Sequence, residues 1–414
     1  MLATCGLFMV VESAFTQTWT PSGAPETSHW QSIATSADGS KLVAASGDSV
    51  IYTSTNSGVT WTSNNVPIQF ATWNSVASSA DGTRLVAVGG GAGATGAIFT
   101  STNGGAIWTS NSAPNETWTS VASSADGNKL VAVAGVDAYG AVGSISATCI
   151  STNEGATWTQ TSAPTNYWVS VASSADGTKL VAASMMDTAD ENPGLVYLST
   201  NSGGTWTQSS APSNAWSCVA SSADGSKLAA TCFPGALVNR DLTSAGSIYT
   251  STDSGLTWTS NNVPDQGWQA IASSADGRLL VAGVNGGQIY SSTNSGATWT
   301  TNIAPNGVWN SFASSADGSK LVGVALNFYG IDGLSDGIYT SQTTPAPQLN
   351  LASSGSNLTA SWVVPSTNFV LQQSFDLAGW TDVTNPPVLN LTNLQDEAML
   401  SPTNSSGFYR LKTP

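Results

Sequence analysis

One pattern returns seven times along the chain, and it limits the possible folds more than any other feature. A tryptophan opens each unit, at Trp30, Trp73, Trp118, Trp168, Trp216, Trp268 and Trp309. An Asp-Gly step begins eight residues later in every unit, at Asp38, Asp81, Asp126, Asp176, Asp224, Asp276 and Asp317. A second tryptophan closes six of the units, at Trp61, Trp108, Trp158, Trp206, Trp258 and Trp299. A repeat of roughly 46 residues marks a supersecondary unit that buries its apolar face only against its neighbours.

Each unit fits four short strands. In the first, WQSIATS is followed by Asp-Gly, whose glycine tolerates positive φ and whose carboxylate can bond its own backbone, so a tight hairpin turn is expected there. KLVAA is a continuous apolar run, as a strand buried on both faces requires. IYTS and TWT supply the third and fourth strands. Four strands per unit, repeated seven times, predict an all-β fold, a seven-bladed β-propeller. The seventh unit ends at Ile338-Tyr339-Thr340-Ser341 without a closing tryptophan, while Gln17-Thr18-Trp19-Thr20-Pro21 is the end of a unit with nothing before it. A ring accounts for both: the amino-terminal strand completes the last blade and removes the exposed sheet edges.

The segment STNSGVTW recurs as STNGGAIW, STNEGATW, STNSGGTW, STDSGLTW and STNSGATW, and it resembles the Asp-box, or BNR repeat, of sialidase-type propellers. The resemblance covers about residues 17–341. It implies a structural turn remote from the active face. Asn stands for Asp in every copy except Asp253, and its side-chain oxygen can still cap the turn. Photosystem assembly-factor propellers also resemble this repeat, although nothing in the sequence implies their partner. Xyloglucan-cleaving relatives usually build a cleft from two propellers, whereas the repeat here makes one.

Spacing separates two faces. From turn Asp to closing Trp the units count 23, 27, 32, 30, 34 and 23 residues, whereas the closing Trp is 10 to 12 residues from the next opening Trp. The variation therefore lies between the second and third strands. In an up-and-down blade these connections share one face with the blade-to-blade connections, here called the loop face. The two hairpin turns share the other, the hairpin face. Function concentrates on loops carried by a rigid scaffold, so a site is expected on the loop face.

That face offers Asp137 and Tyr139; Asp187, Asp190 and Glu191; Arg240 and Asp241; and Tyr329, Asp332 and Asp336. The blade-to-blade connections add His29, Glu116, Asn166, Tyr167 and Asp265. Two carboxylates across a glycosidic bond could serve as acid and base, or the carboxylates could simply solvate the surface. DTADEN at 187–192 could offer oxygens to calcium, but its spacing matches no defined calcium motif, and the identity of any metal stays open. The sialidase-like propellers recognise a substrate carboxylate with three arginines. This chain has Arg84, Arg240, Arg278 and Arg410, of which Arg84 and Arg278 adjoin hairpin turns and Arg410 lies beyond the repeats. A three-arginine cluster cannot form, so sialidase activity is excluded.

The seven opening tryptophans stand beside the loop face. They could be stacking platforms for sugar rings, or wedges between blades. The closing tryptophans read as structural, and with Trp19 the two sets account for 14 of 16 tryptophans. The candidate ligand-binding set is thus Trp30, Trp73, Trp118, Trp168, Trp216, Trp268, Trp309, Tyr139, Tyr167, Asp187, Glu191, Arg240 and Asp332. No residue is assigned a catalytic role and no cofactor is expected. His29, the single histidine, has no second histidine to support a Ser–His relay. Cys218 and Cys232 fall diagonally on one hairpin, so a disulfide is open. Cys149 replaces Tyr52 of the first unit and reads as a buried free thiol.

Residues 1–16 are expected to be the end of a secretory signal, with an ordinary apolar strand as the alternative. Charged residues are only 8% of the chain, against about 25% in typical soluble domains. The net charge of −15 argues against nucleic acid and anionic membranes as partners. No apolar run reaches the ~18 residues of a membrane span. Residues 17–342 are assigned to the propeller and 343–347 to a linker. Residues 348–414 alternate apolar and polar positions, as in a small antiparallel β-sandwich of fibronectin or immunoglobulin type. The expected protein is a secreted, monomeric binding or scaffold module for a glycan or an extracellular protein, with a glycoside hydrolase as the alternative.

Overall fold

The computed structural model describes residues 17–25, 29–64, 66, 72–90, 96–135, 147–187, 193–234, 246–327, 336–342, 349–354, 357–363, 370–374, 379–384, 387–390, 394–400 and 408–412. The proposed signal segment and the 343–347 linker lie outside these residues. Among the described residues every regular element is a strand.

The first blade shows the pattern. Its strands are Trp30–Thr35, Leu42–Ser46, Ile51–Ser54 and Thr62–Asn64, hydrogen-bonded in that order. All five residues of Leu42–Ser46 are buried, which is why Leu42 to Ala45 are apolar and the Ser46 hydroxyl is bonded to the Val50 carbonyl. At the first hairpin Gly39 adopts φ 65°, and the Asp38 carboxylate accepts from the Ser40 amide and from the Ser36 and Ser40 hydroxyls. In the second turn Asn56 Oδ1 accepts from the Thr60 amide and its Nδ2 donates to Thr60 Oγ1, so asparagine does cap this turn. In the fifth blade the Asp253 carboxylate caps the turn by accepting from both the amide and the hydroxyl of Thr257.

The blades close into a ring. The alanine before each turn aspartate donates its amide to the corresponding alanine carbonyl of the next blade, from Ala37 to Ala80, Ala125, Ala175, Ala223, Ala275, Ala316 and back to Ala37, at 2.7–2.8 Å. Lys41, Arg84, Lys129, Lys179 and Lys227 reinforce this cycle by donating to the carbonyls of Asp81, Asp126, Asp176, Asp224 and Asp276 in the following blade. The apolar clusters also straddle neighbours: Trp30, Ile33, Leu42 and Tyr52 of the first blade pack with Val322, Val324 and Ile338 of the seventh.

The amino-terminal strand Thr20–Pro21 pairs with Gly337–Gln342 of the seventh blade, with Thr20 opposite Thr340 and Pro21 opposite Tyr339. As the outermost strand it tolerates a proline that cannot donate. Trp19 enters the core there, 5.7 Å from the Phe312 ring and 6.1 Å from Trp309. The sixth and seventh blades share a continuous sheet, because Leu280–Gly287 pairs with Gly307–Ser314 across the boundary. The carboxyl-terminal part forms two antiparallel sheets that share one core, including Ala360, Trp362, Leu371, Ala398 and Leu400.

The turn aspartates predict an acid transition. Burial raises the carboxyls of Asp38, Asp81, Asp126, Asp176 and Asp224, but hydroxyl and amide donors, which for Asp126 include the Asn128 side chain, outweigh it and hold each below its ordinary value. The folded state thus binds protons less readily than the unfolded chain. Its advantage is complete above about pH 4 and disappears as the pH falls through the lower folded values. The contribution of these turns to the thermal midpoint is expected to hold from neutral pH down to about pH 4 and to fall below it, so that the midpoint drops steeply only in that acidic range. A midpoint independent of pH through that acidic range would contradict this.

Candidate functional site

The opening tryptophans are not ligand platforms. All seven are between 0% and 1% exposed. In six blades the ring meets the aromatic of its own third strand, at 5.1–5.8 Å in edge-to-face geometry: Trp30 with Tyr52, Trp73 with Phe99, Trp168 with Tyr197, Trp216 with Tyr249, Trp268 with Tyr290 and Trp309 with Tyr339. In the third blade Cys149 occupies that place, buried and unpaired. A ring with no accessible face cannot stack on a sugar, so the expectation for these seven residues is corrected to a wedge between blades.

The other candidates divide. Tyr139, Glu191, Arg240 and Asp332 lie outside the described residues. Asp187 ends the strand Leu180–Asp187, with its backbone opposite Asn166. Tyr167 is half-buried in Asn166–Ser173. Asn166 is 2% exposed, and its Oδ1 has no hydrogen-bond partner. No group of three or more His, Cys, Asp or Glu capable of holding a metal occurs among the described residues.

Three carboxylates on the loop face are placed in detail. Burial pushes the Glu116 carboxyl up from its ordinary value. Asp265 accepts the Gly246 amide at 2.7 Å, which ties the entry of the sixth blade to the fifth. Asp336 is also raised, because burial outweighs the nearby His29 and the amides of Asn327, Gly337 and His29 that it accepts. His29 adopts φ 70° and lies 3.9 Å from Asp48. Sequence reasoning found Asp336 and His29 but not their union, which joins the last blade to the first across the closure seam.

Cys218 and Cys232 are free thiols. The disulfide left open by the sequence does not form, and the diagonal placement on one face is corrected: the ladder slips between Trp216 and Cys218, so Cys218 faces Thr231 while Cys232 faces Trp216. Cys218 Sγ reaches the Ile271 carbonyl of the next blade, and Cys232 bonds Ser247. Burial raises the Cys149 and Cys232 thiols to about 11, so neither is a nucleophile at neutral pH.

Charge is distributed unequally between the faces. Lys41, Arg84, Lys129, Lys179, Lys227, Arg278 and Lys320 all follow a first hairpin turn and so belong to the hairpin face. Arg84 is committed there to Asp126 and to Glu154 at 3.2 Å. Arg240 is the single Lys or Arg that the propeller sequence leaves to the loop-face connections, which carry Glu26, Asp48, Glu116, Asp137, Asp187, Asp190, Glu191, Asp241, Asp265, Asp332 and Asp336. The hairpin face carries small clefts between blades, one of them at the closure seam beside Gly39, Leu42, Lys320 and Gln342.

No protein-family model and no curated protein sequence matches the chain. Solved structures do. The GH74 xyloglucanase from Xanthomonas campestris aligns with a TM-score of 0.58 and 14% identity, covering 84% of this chain and 59% of that one. YCF48 from Cyanidioschyzon merolae aligns with a TM-score of 0.55 and 14% identity over 78% of this chain and 98% of its own. YCF48 bound to D1 peptide aligns with a TM-score of 0.56 and 12% identity over 80% and 99%. At these identities the likeness shows the fold, a β-propeller. The chain spans about three-fifths of the xyloglucanase.

Proposed function

We propose that this protein is a non-catalytic docking scaffold, exported from the cell, that receives a basic segment of an extracellular protein on its loop face. The observation that carries this reading is the division of charge along the sequence: eleven acidic positions and one arginine in the connections assigned to the loop face, against a hairpin face on which Lys41, Arg84, Lys129, Lys179 and Lys227 are bonded within the ring. Such a field steers a cationic partner and disfavours anionic ones. Burial of the opening tryptophans moves the choice from glycan to protein. A propeller of the same fold bound to a peptide supports the same class of partner.

The test is binding of a lysine- and arginine-rich peptide, with a neutral oligosaccharide and an acidic peptide as comparisons. The basic peptide alone is expected to bind, and more weakly as salt rises, because surface charges are screened over about 8 Å at physiological ionic strength. Asp137→Asn, Asp190→Asn and Asp332→Asn together are expected to slow association while leaving the melting curve in place. Preferred binding of the oligosaccharide would overturn the proposal.

One observation favours a second reading, a glycoside hydrolase. The raised carboxyl of Glu116 is what a general acid needs, and the structurally similar proteins include a xyloglucanase. Release of reducing sugar from a β-glucan by the wild type, lost in Glu116→Gln, would establish it.

A further inference from the structure

The chain contains three Asn-Gly steps, Asn103–Gly104, Asn285–Gly286 and Asn306–Gly307. Such steps share a side reaction in which the glycine nitrogen attacks the asparagine side chain, since glycine has no Cβ to obstruct the approach. The fold treats the three differently.

In the first, both reacting groups are held. Asn103 Oδ1 accepts from the Ser101 hydroxyl and the Ile107 amide, and the Gly104 amide donates to the Thr83 carbonyl at 2.8 Å. In the third, Gly307 is buried and paired with Gly287 in the ladder that joins the sixth and seventh blades. The second lies at the tip of the hairpin between Leu280–Gly287 and Ile289–Ser292, where Asn285 and Gly286 are both exposed. One ladder ends at Gly283 opposite Ile289; the other places Asn285 opposite Val308 and Gly287 opposite Gly307, so Gly286 is skipped by both. Gly286 adopts φ 75°, and a Cβ built there would have no atom within 4 Å. The reacting pair is therefore open to water and unobstructed.

We infer that Asn285–Gly286 is a spontaneous modification site, at which the folded protein deamidates in preference to its other Asn-Gly steps. The Gly286 nitrogen, on losing its proton, bonds to Asn285 Cγ. The Cγ–Nδ2 bond breaks and ammonia leaves with a proton, giving a five-membered imide. One water then opens the ring at either carbonyl, leaving an aspartyl or an isoaspartyl linkage, so the net change is one water consumed and one ammonia released. Both products add a carboxylate to the loop face. The isoaspartyl product also lengthens the main chain by one carbon where Asn285 pairs with Val308 and donates to the Gly267 carbonyl, so it disturbs the junction of the sixth and seventh blades.

The experiment is peptide mapping of the full chain after incubation in mildly alkaline buffer, once folded and once in guanidinium chloride. In the folded protein the peptide containing Asn285 is expected to gain one mass unit about tenfold faster than the Asn103 peptide, the factor set by one hydrogen bond that must open before Gly104 can react. In denaturant the three steps are expected to converge, because the protection comes from the fold. Isoelectric focusing is expected to show a matching acidic band that Asn285→Gln suppresses. Equal rates at the three sites in the folded protein, or faster gain at Asn103 or Asn306, would overturn the inference.

Discussion

Deleting residues 17–25 is expected to lower the stability of the propeller by roughly 5 kcal/mol, because removing a buried Trp ring alone costs about 3–5 kcal/mol. Trp19 is 4% exposed and packs on Trp309, Phe312 and Tyr339. The deletion also removes the Trp19 amide bond to the Ile303 carbonyl, the Ser22 amide bond to Ile338 and the pairing of Thr20 and Pro21 with Thr340 and Tyr339. Gly337–Gln342 then becomes an unprotected edge, so aggregation on heating should accompany the loss. Trp19→Ala separates the contributions: it keeps the strand and removes the ring, and should recover part of the midpoint. A melting curve unchanged by the deletion would show that the ring does not depend on its first strand.

Repetition made the strands legible because each turn carries its own chemistry. The carboxylate of Asp38 and the amide of Asn56 satisfy the donors and acceptors of their turns locally, so dipeptide spacing was enough to place them. The orientation of the opening tryptophans was not legible, and one physical reason explains it. In every blade the ladder slips between the tryptophan and the residue two positions on, as between Trp30 and Ser32. A bulge of this kind re-aims a side chain, and here the ring turns inward onto the third strand. The extra residue is then free to cross to the neighbour: Asn74, Thr119, Ser217 and Asn310 each donate to the tryptophan carbonyl of the next blade, the last of them to Trp30 across the seam. Strict alternation along WQSIATS gives no sign of the slip. The same slip misplaced Cys218 relative to Cys232. The loop face was legible only as length and charge, because its connections do not repeat.

Phe312 shows how contacts between blades also escape a reading made one unit at a time. Its counterparts are Ile33, Val76, Val121, Val171, Val219 and Ile271, all smaller. The larger ring fits because glycines face it from two strands: a Cβ on Gly283 would lie 2.6 Å from Phe312 Cε2, and one on Gly323 would lie 2.6 Å from Phe312 Cε1. Neither glycine has positive φ, so what forbids a side chain is space rather than backbone conformation. Gly323→Ala is therefore expected to cost about 1–3 kcal/mol by overpacking. Phe312→Val leaves a void beside Trp19 and is expected to cost about 3 kcal/mol, near the lower end for loss of a buried aromatic. Combined, the two changes should cost less than their sum by at least about 1 kcal/mol, since each removes the other's fault. Chemical denaturation of the four proteins of this cycle measures that coupling. Additive costs would mean that the glycines do not answer the ring, and that the seventh blade accommodates Phe312 by some other movement of the seam.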